Sequence, residues 1–273
     1  MSYVKTSDGT KLYYKDWGSG RPVVMMHGWP LSSDTFDDLS MVLADNGLRA
    51  ISYDRRGFGR SQQPWDGYDY DTLADDLAAV LAHTKATDVT LLGFSMGGGE
   101  VARYLSRHGA ANVKQAILIA SIVPYMLKTD DNPHGTPQAL FDKIGAGIKE
   151  DRARFWSSFF KDFYGVSAAS QPVSDEMLEW SRDQSMYASL KATLACAKAF
   201  GTTDLRPDLA AFTMPTLIIH GTDDKTVPID ASARAAAAGI AGSTLIEYEG
   251  APHGLLASHK ERLIADVLKF VKS

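Results

Sequence analysis

The stretch Val89-Thr-Leu-Leu-Gly-Phe-Ser95-Met-Gly-Gly-Gly-Glu-Val-Ala-Arg-Tyr104 decides how this chain is read. Residues 89–94 carry no charge and form the short, nearly continuous apolar run expected of a strand buried on both faces. Residues 97–107 read as a helix. Between them stands Gly93-Phe-Ser95-Met-Gly97. Alone, Gly-x-Ser-x-Gly is a weak pattern, and its bland interpretation is a turn without chemistry. Caught between a strand and a helix, it has the context of a nucleophile elbow. The turn is so tight that side chains at 93 and 97 would clash, hence glycine at both. Ser95 is then held at the top of a sheet and at a helix N-terminus. The Met96 N–H points to where an oxyanion would develop.

A serine hydroxyl is a poor nucleophile until an adjacent base takes its proton. Chains with such an elbow carry the acid after the serine and the histidine last. Three histidines lie far downstream: His220, His253 and His259. His253 falls in Glu249-Gly-Ala-Pro-His253-Gly, between the last strand and the last helix, and so at the same sheet edge as Ser95. His220 ends a strand and reads as a packing residue; His259 falls in the final helix and reads as solvated. The acid belongs after the next-to-last strand, where Thr216-Leu-Ile-Ile-His-Gly-Thr-Asp223-Asp224-Lys-Thr-Val-Pro228 offers two adjacent aspartates. These point in different directions, so one can reach the histidine. Asp224 is the choice; Asp223, otherwise a turn-former, is the alternative. The acid would fix the imidazole tautomer and stabilise the imidazolium.

A second oxyanion donor is expected after the strand in Val23-Val-Met-Met-His27-Gly28-Trp29-Pro30. Trp29 has an N–H to offer and Pro30 has none. His27, at a strand end, reads as structural.

Working outward, further apolar runs at 12–15, 22–26, 49–53, 113–120, 216–220 and 244–248 alternate with helical patterns at 71–84, 231–238 and 259–271. Such alternation predicts a mostly parallel sheet flanked by helices. It breaks once. From about 124 to about 209 no strand is apparent, and aromatic-rich helical patterns run over 136–149, 151–164, 174–186 and 190–200, punctuated by prolines. We read a helical cap inserted between the sixth and seventh strands. The organisation is then core 1–123, cap 124–210 and core 211–273.

The 273 residues suit one domain with an insertion. A net charge of −5 argues against nucleic acid and anionic membrane as partners. The single cysteine, Cys196, rules out an internal disulfide and sits in an Ala-rich helical stretch, which suits an apolar role. Residues 1–20 are mixed polar without an apolar core, so no secretory signal is expected. No run approaches the roughly 20 apolar residues of a membrane span, and the default compartment is cytoplasmic. Tyr53-Asp-Arg-Arg-Gly57-Phe-Gly59-Arg-Ser61 lacks phosphate-loop spacing and reads as a structural turn. No cluster has metal-ligand spacing, so no metal is expected.

Over essentially its whole length the sequence resembles the bacterial arylesterases and cofactor-free haloperoxidases (perhydrolases) of the α/β-hydrolase superfamily. The resemblance is carried by Lys15-Asp-Trp-Gly-Ser-Gly, His27-Gly-Trp-Pro, Tyr53-Asp-Arg-Arg-Gly-Phe-Gly-Arg-Ser, Gly93-Phe-Ser-Met-Gly-Gly-Gly-Glu-Val-Ala-Arg-Tyr, Ser189-Leu-Lys-Ala-Thr, Asp204-Leu-Arg-Pro-Asp and Ala251-Pro-His-Gly. It implies a Ser95–Asp224–His253 triad, an oxyanion hole from Trp29 and Met96, and a cap lining an acyl pocket. Ile122, Phe159, Phe200 and Thr226 are the pocket candidates. The implied substrates are small esters or short carboxylic acids, with hydrogen peroxide as co-substrate and no cofactor; a homo-oligomer is also implied. Pro30 is the informative position, because members with proline after the oxyanion residue look more like the haloperoxidases. Proline restricts the residue before it, which would reposition the Trp29 carbonyl near the acyl-enzyme. Epoxide hydrolases and haloalkane dehalogenases, which share the fold, use a carboxylate where this chain has Ser95. Lactamases, carbon–carbon bond hydrolases and silent ligand-binding proteins of the same fold remain alternatives on motif alone.

Overall fold

The structure, a computed structural model, describes residues 2–273. Eight strands form one sheet in the order β1-β2-β4-β3-β5-β6-β7-β8. Its first two, β1 (Tyr3–Lys5) and β2 (Lys11–Gly18), run antiparallel to their neighbours. The rest, β3 (Arg21–Met26), β4 (Leu48–Tyr53), β5 (Val89–Phe94), β6 (Val113–Ile119), β7 (Thr216–Gly221) and β8 (Thr244–Tyr248), are parallel. All six residues of β5 and of β7 are buried, as expected of uncharged, largely apolar strands covered on both faces. The register sets Met26 beside Gly93 and Ile119 beside Ile219. The carboxyl ends of these strands therefore lie along one edge, where open α/β sheets place their sites.

Helices follow from caps and apolar spacing. In α2 (Tyr70–Thr84), Asp69 caps the first turn through Thr72 N–H, and Leu73, Leu77, Val80 and Leu81 form the buried stripe. The helix α3 (Met96–His108) leaves β5 directly after Ser95. After the short helix α7 (Ala233–Gly239), the closing helix α9 (Lys260–Val271) buries Leu263, Val267 and Val271 at four-residue spacing.

Three elements are additional to the sequence reading. Strand β1 has three residues, too few to show a period. Helix α1 (Asp37–Asp45) has nine and buries little besides Leu39 and Leu43. A one-turn helix, α8 (Leu255–Ser258), precedes α9.

Between β6 and β7 the chain holds helices and no strand of the sheet. Helix α4 (Gln138–Phe163) breaks at Asp151 (φ −153°, ψ 92°), where the Asp151 carboxylate caps Arg154 N–H at 2.9 Å. The expected division into two helical stretches near residue 150 falls at this non-helical residue. The second half of α4 buries Trp156, Phe160 and Phe163. Ser174 and Ser189 cap α5 (Asp175–Tyr187) and α6 (Leu190–Thr202). No helix of the described residues is long and apolar enough to cross a membrane.

Candidate active site

Ser95 follows the last residue of β5 with φ 54° and ψ −118°, a conformation that non-glycine residues rarely adopt. The surroundings impose it. A Cβ at Gly93 would fall 2.5 Å from Gly98 N, and one at Gly97 would fall 2.2 Å from the Met26 carbonyl oxygen. Ser95 N–H donates to the Ile119 carbonyl (2.8 Å), tying the elbow to the neighbouring strand end. Ile122, buried beside it, donates its N–H to the Ser95 carbonyl at 3.3 Å.

His253 arrives from the loop after β8 with its ring fully buried. Its Nε2 lies 2.9 Å from Ser95 Oγ and its Nδ1 2.6 Å from Asp224 Oδ2. Phe163 of the cap packs edge-on against the imidazole (centroids 4.8 Å apart) and Phe94 lies tilted against it (5.4 Å). The loop after β7 delivers Asp224, whose Oδ1 accepts the N–H groups of Thr226 (2.9 Å) and Val227 (2.8 Å). Asp223 is exposed, with its carboxylate 3.9 Å from Lys225 Nζ. Burial would raise the Asp224 pKa. The charge of His253 and hydrogen bonds from His220 and His253 outweigh burial and hold the carboxyl well below the usual carboxylate range.

The N–H groups of Trp29 and Met96 have no partner among the described residues. Met96 opens α3, where the first N–H groups lack intrahelical acceptors. Trp29 ends the segment leaving β3. Its indole donates to the Thr193 carbonyl of α6 (3.0 Å) and sits among Trp156, Phe159 and Phe200, with centroids 5.1, 5.6 and 5.2 Å away. The Trp29–Pro30 peptide is cis, and Leu31 N–H closes the turn onto the Gly28 carbonyl at 3.0 Å.

Of the pocket candidates, Phe159 and Phe200 therefore meet at the Trp29 ring and Ile122 lies behind Ser95. Thr226 serves Asp224 through its backbone.

His27 does structural work. Its Nε2 accepts Arg55 N–H (3.0 Å), and Nδ1–H donates to the Gly28 carbonyl (2.9 Å). Burial and the Arg55 charge push its pKa well down. Arg55 also holds the His27 carbonyl (2.5 Å) and is ion-paired with Glu100 of α3, all three residues being buried. Tyr53 donates to the other Glu100 oxygen at 2.6 Å. One buried ion pair thus ties the strand end carrying Trp29 to the helix that follows Ser95.

His220, read from the sequence as a packing residue, also reaches the site: its Nε2 is 3.1 Å from Asp224 Oδ2. The available signal was its position at a strand end, four residues before Asp224. A cleft of about 380 Å³ opens between α5, residues 31–38 and residues 254–260. It reaches Phe94 and Phe163 but stops short of Ser95, Asp224 and His253. Among the described residues no group of His, Cys, Asp and Glu could hold a metal ion.

The α/β-hydrolase-fold profile matches residues 21–260. A non-heme chloroperoxidase of Kitasatospora aureofaciens is 42% identical over 99% of each chain. A bifunctional esterase/perhydrolase of Acinetobacter calcoaceticus is 39% identical over the full length of both. The crystal structure of a bromoperoxidase from Bacillus anthracis superimposes with a TM-score of 0.96 at 40% identity, covering 100% of this chain and 99% of that one.

Proposed function

Because this chain belongs to the α/β-hydrolase fold family, we propose that it is a serine esterase acting on small carboxylic esters. In the same reading it also forms peracids from carboxylic acids and hydrogen peroxide. The observation that carries this is the unbroken line Asp224–His253–Ser95, at 2.6 and 2.9 Å, beside two unpartnered N–H groups.

Ser95 Oγ attacks the ester carbonyl as His253 Nε2 takes its proton. Asp224 keeps the other imidazole proton on Nδ1 and stabilises the cation, and its depressed pKa keeps it ionised throughout. The tetrahedral oxyanion is met by the N–H groups of Trp29 and Met96. His253 then returns the proton to the departing alkoxide, leaving an acyl group on Ser95. Water, deprotonated by His253, releases the acid; hydrogen peroxide taking the same path releases a peracid. A free carboxylic acid enters by the same attack, losing water in place of alcohol. Peracid oxidises bromide or chloride away from the protein, which fits the names of the haloperoxidase relatives. Pro30 favours peroxide by setting the Trp29 carbonyl where it can accept a hydrogen bond from the incoming HOOH. The unpaired, buried Cys196 suits a cytoplasmic setting, and self-association, implied by the resemblance, is tested by light scattering.

The test is a paired rate measurement on one sample, phenyl acetate hydrolysis against peracetic acid formation from acetate and peroxide, with Ser95→Ala as the blank. Both rates should exceed the blank by about 10⁴ or more. Pro30→Leu should lower the ratio of peroxide to water attack; an unchanged ratio removes Pro30 from the chemistry. Hydrolysis alone would make this an esterase only. Neither activity, with a fluorophosphonate failing to label Ser95, would point to a silent binding protein; labelling without ester turnover would point to lactams or carbon–carbon substrates.

A further inference from the structure

His220 is a fully buried side chain near the end of β7 with an unmet valence. Its Nε2 faces two acceptors, Asp224 Oδ2 at 3.1 Å and the Val227 carbonyl at 3.0 Å. With acceptors on that side, Nε2 must carry the ring proton. Nδ1 is then left with a lone pair and no partner among the described residues. A residue needed only for packing at such a site would be apolar, since a buried nitrogen without a partner is costly. The cost is offset only by what Nε2–H does.

What it does is complete a carboxylate. Asp224 Oδ2 receives His253 Nδ1–H and lies 3.1 Å from His220 Nε2, while Oδ1 receives the N–H groups of Thr226 and Val227. Three donors and the facing His220 Nε2 thus surround the roughly four lone-pair sites of an ionised carboxylate. Val227 is engaged twice, its N–H on Oδ1 and its carbonyl on His220, so the 224–227 turn and the carboxylate are fastened together. The other charged group coupled to His220 is Glu247, opposite it on β8, and both Glu247 oxygens are held by Arg234 (2.8 and 2.7 Å). Asp224 is thus the carboxylate His220 serves.

We propose that His220 is a positioning residue: its Nε2–H, shared between Asp224 Oδ2 and the Val227 carbonyl, fixes the carboxylate rotamer and limits how strongly Asp224 draws on the His253 Nδ1 proton. This rests on Asp224 and His253 working as acid and base for Ser95. Remove the His220 donor and two things follow. The carboxylate becomes free to turn, which lowers kcat. Its charge is less satisfied, so it binds the His253 proton more strongly, and the acid limb of the kcat/KM profile moves to higher pH.

His220→Phe keeps the volume and removes the donor, whereas His220→Gln returns an amide N–H close to the position of Nε2. In His220→Phe, kcat should fall about tenfold with KM nearly unchanged, and the acid limb should rise. His220→Gln should restore the limb and most of kcat. In unaltered protein carrying ¹⁵N-histidine, His220 should show the Nε2–H tautomer. The idea is overturned by an acid limb that stays in place in a folded His220→Phe, by a His220→Gln limb as displaced as that of His220→Phe, or by an Nδ1–H tautomer. Should His220→Phe not fold, the tautomer and the His220→Gln profile decide. Failure of the underlying reading looks different: fluorophosphonate would then not label Ser95 in the unaltered enzyme, whatever His220 does.

Discussion

The two walls of the site are built from opposite materials. On the sheet side, Ser95, the Trp29 segment and Asp224 are placed by close backbone approach and buried charge. Two glycines admit no Cβ, Arg55 pairs with Glu100, and backbone N–H groups fill Asp224 Oδ1. On the cap side, Trp156, Phe159, Phe160, Phe163 and Phe200 are held almost wholly by ring against ring, centroids 4.8–6.2 Å apart around Trp29 and His253. Hydrogen-bonded frames have one solution and break when a partner is lost. Aromatic clusters repack at moderate cost. The sheet side should therefore carry the rate, and the cap side the choice of acyl group.

The largest effect should come from Asp224→Asn, a change of one atom that leaves the shape intact. An amide in place of the carboxylate disturbs the tautomer and no longer stabilises the imidazolium, so kcat should fall about 10⁴-fold. Loss of less than tenfold would transfer the role to Asp223. The same variant has a pH signature in stability. The Asp224 carboxyl is held below its unfolded value, so it contributes stability above pH ~4 that is lost as the pH falls further. Thermal melts should show the unaltered protein's advantage over Asp224→Asn at neutral pH, narrowing as the pH drops below about 4.

Next comes Arg55→Met. Burial already raises the Glu100 pKa against the pull of Arg55, and losing the arginine leaves a buried carboxyl unpaired. Urea melts should show a loss of about 3–5 kcal/mol. Because Arg55 also holds the His27 carbonyl, the Trp29 donor should shift and kcat should fall about 10²-fold in the folded fraction. Arg55→Met with Glu100→Leu should recover stability but not rate. Recovery of both would mean that the ion pair is scaffolding alone.

The sheet side was also the legible side. A serine between two glycines at a strand–helix junction is dictated by backbone sterics, and sterics leave a local mark in sequence. His253 and Asp224 followed because chain order and strand ends constrain them. His220 did not, since its bond to Asp224 depends on how the loop after β7 turns back over the strand. Helix α1 escaped because its stripe is little more than Leu39 and Leu43. In the cap the helices and the break near Asp151 were legible from periodicity. Their convergence on Trp29 was expected only through resemblance, because Phe159 and Phe200 come from helices about 40 residues apart and nothing local ties them together.

The smallest effect, and the sharpest test of the division between the walls, is Phe159→Ala. Phe159 is half-buried and lies 5.6 Å from the Trp29 ring, 5.7 Å from Phe163 and 5.5 Å from Trp156, so it touches both the oxyanion side and the ring that backs His253. Its removal deletes no hydrogen bond. If the cap governs the acyl group, the space gained should favour longer chains, moving the butanoate-to-acetate ratio of kcat/KM upward by about tenfold while kcat on acetate changes little. A comparable drop on every chain length would mean that the aromatic wall holds Trp29 and His253 in place. Rate and selectivity would then share one structure, and the contrast between the walls would be one of materials only.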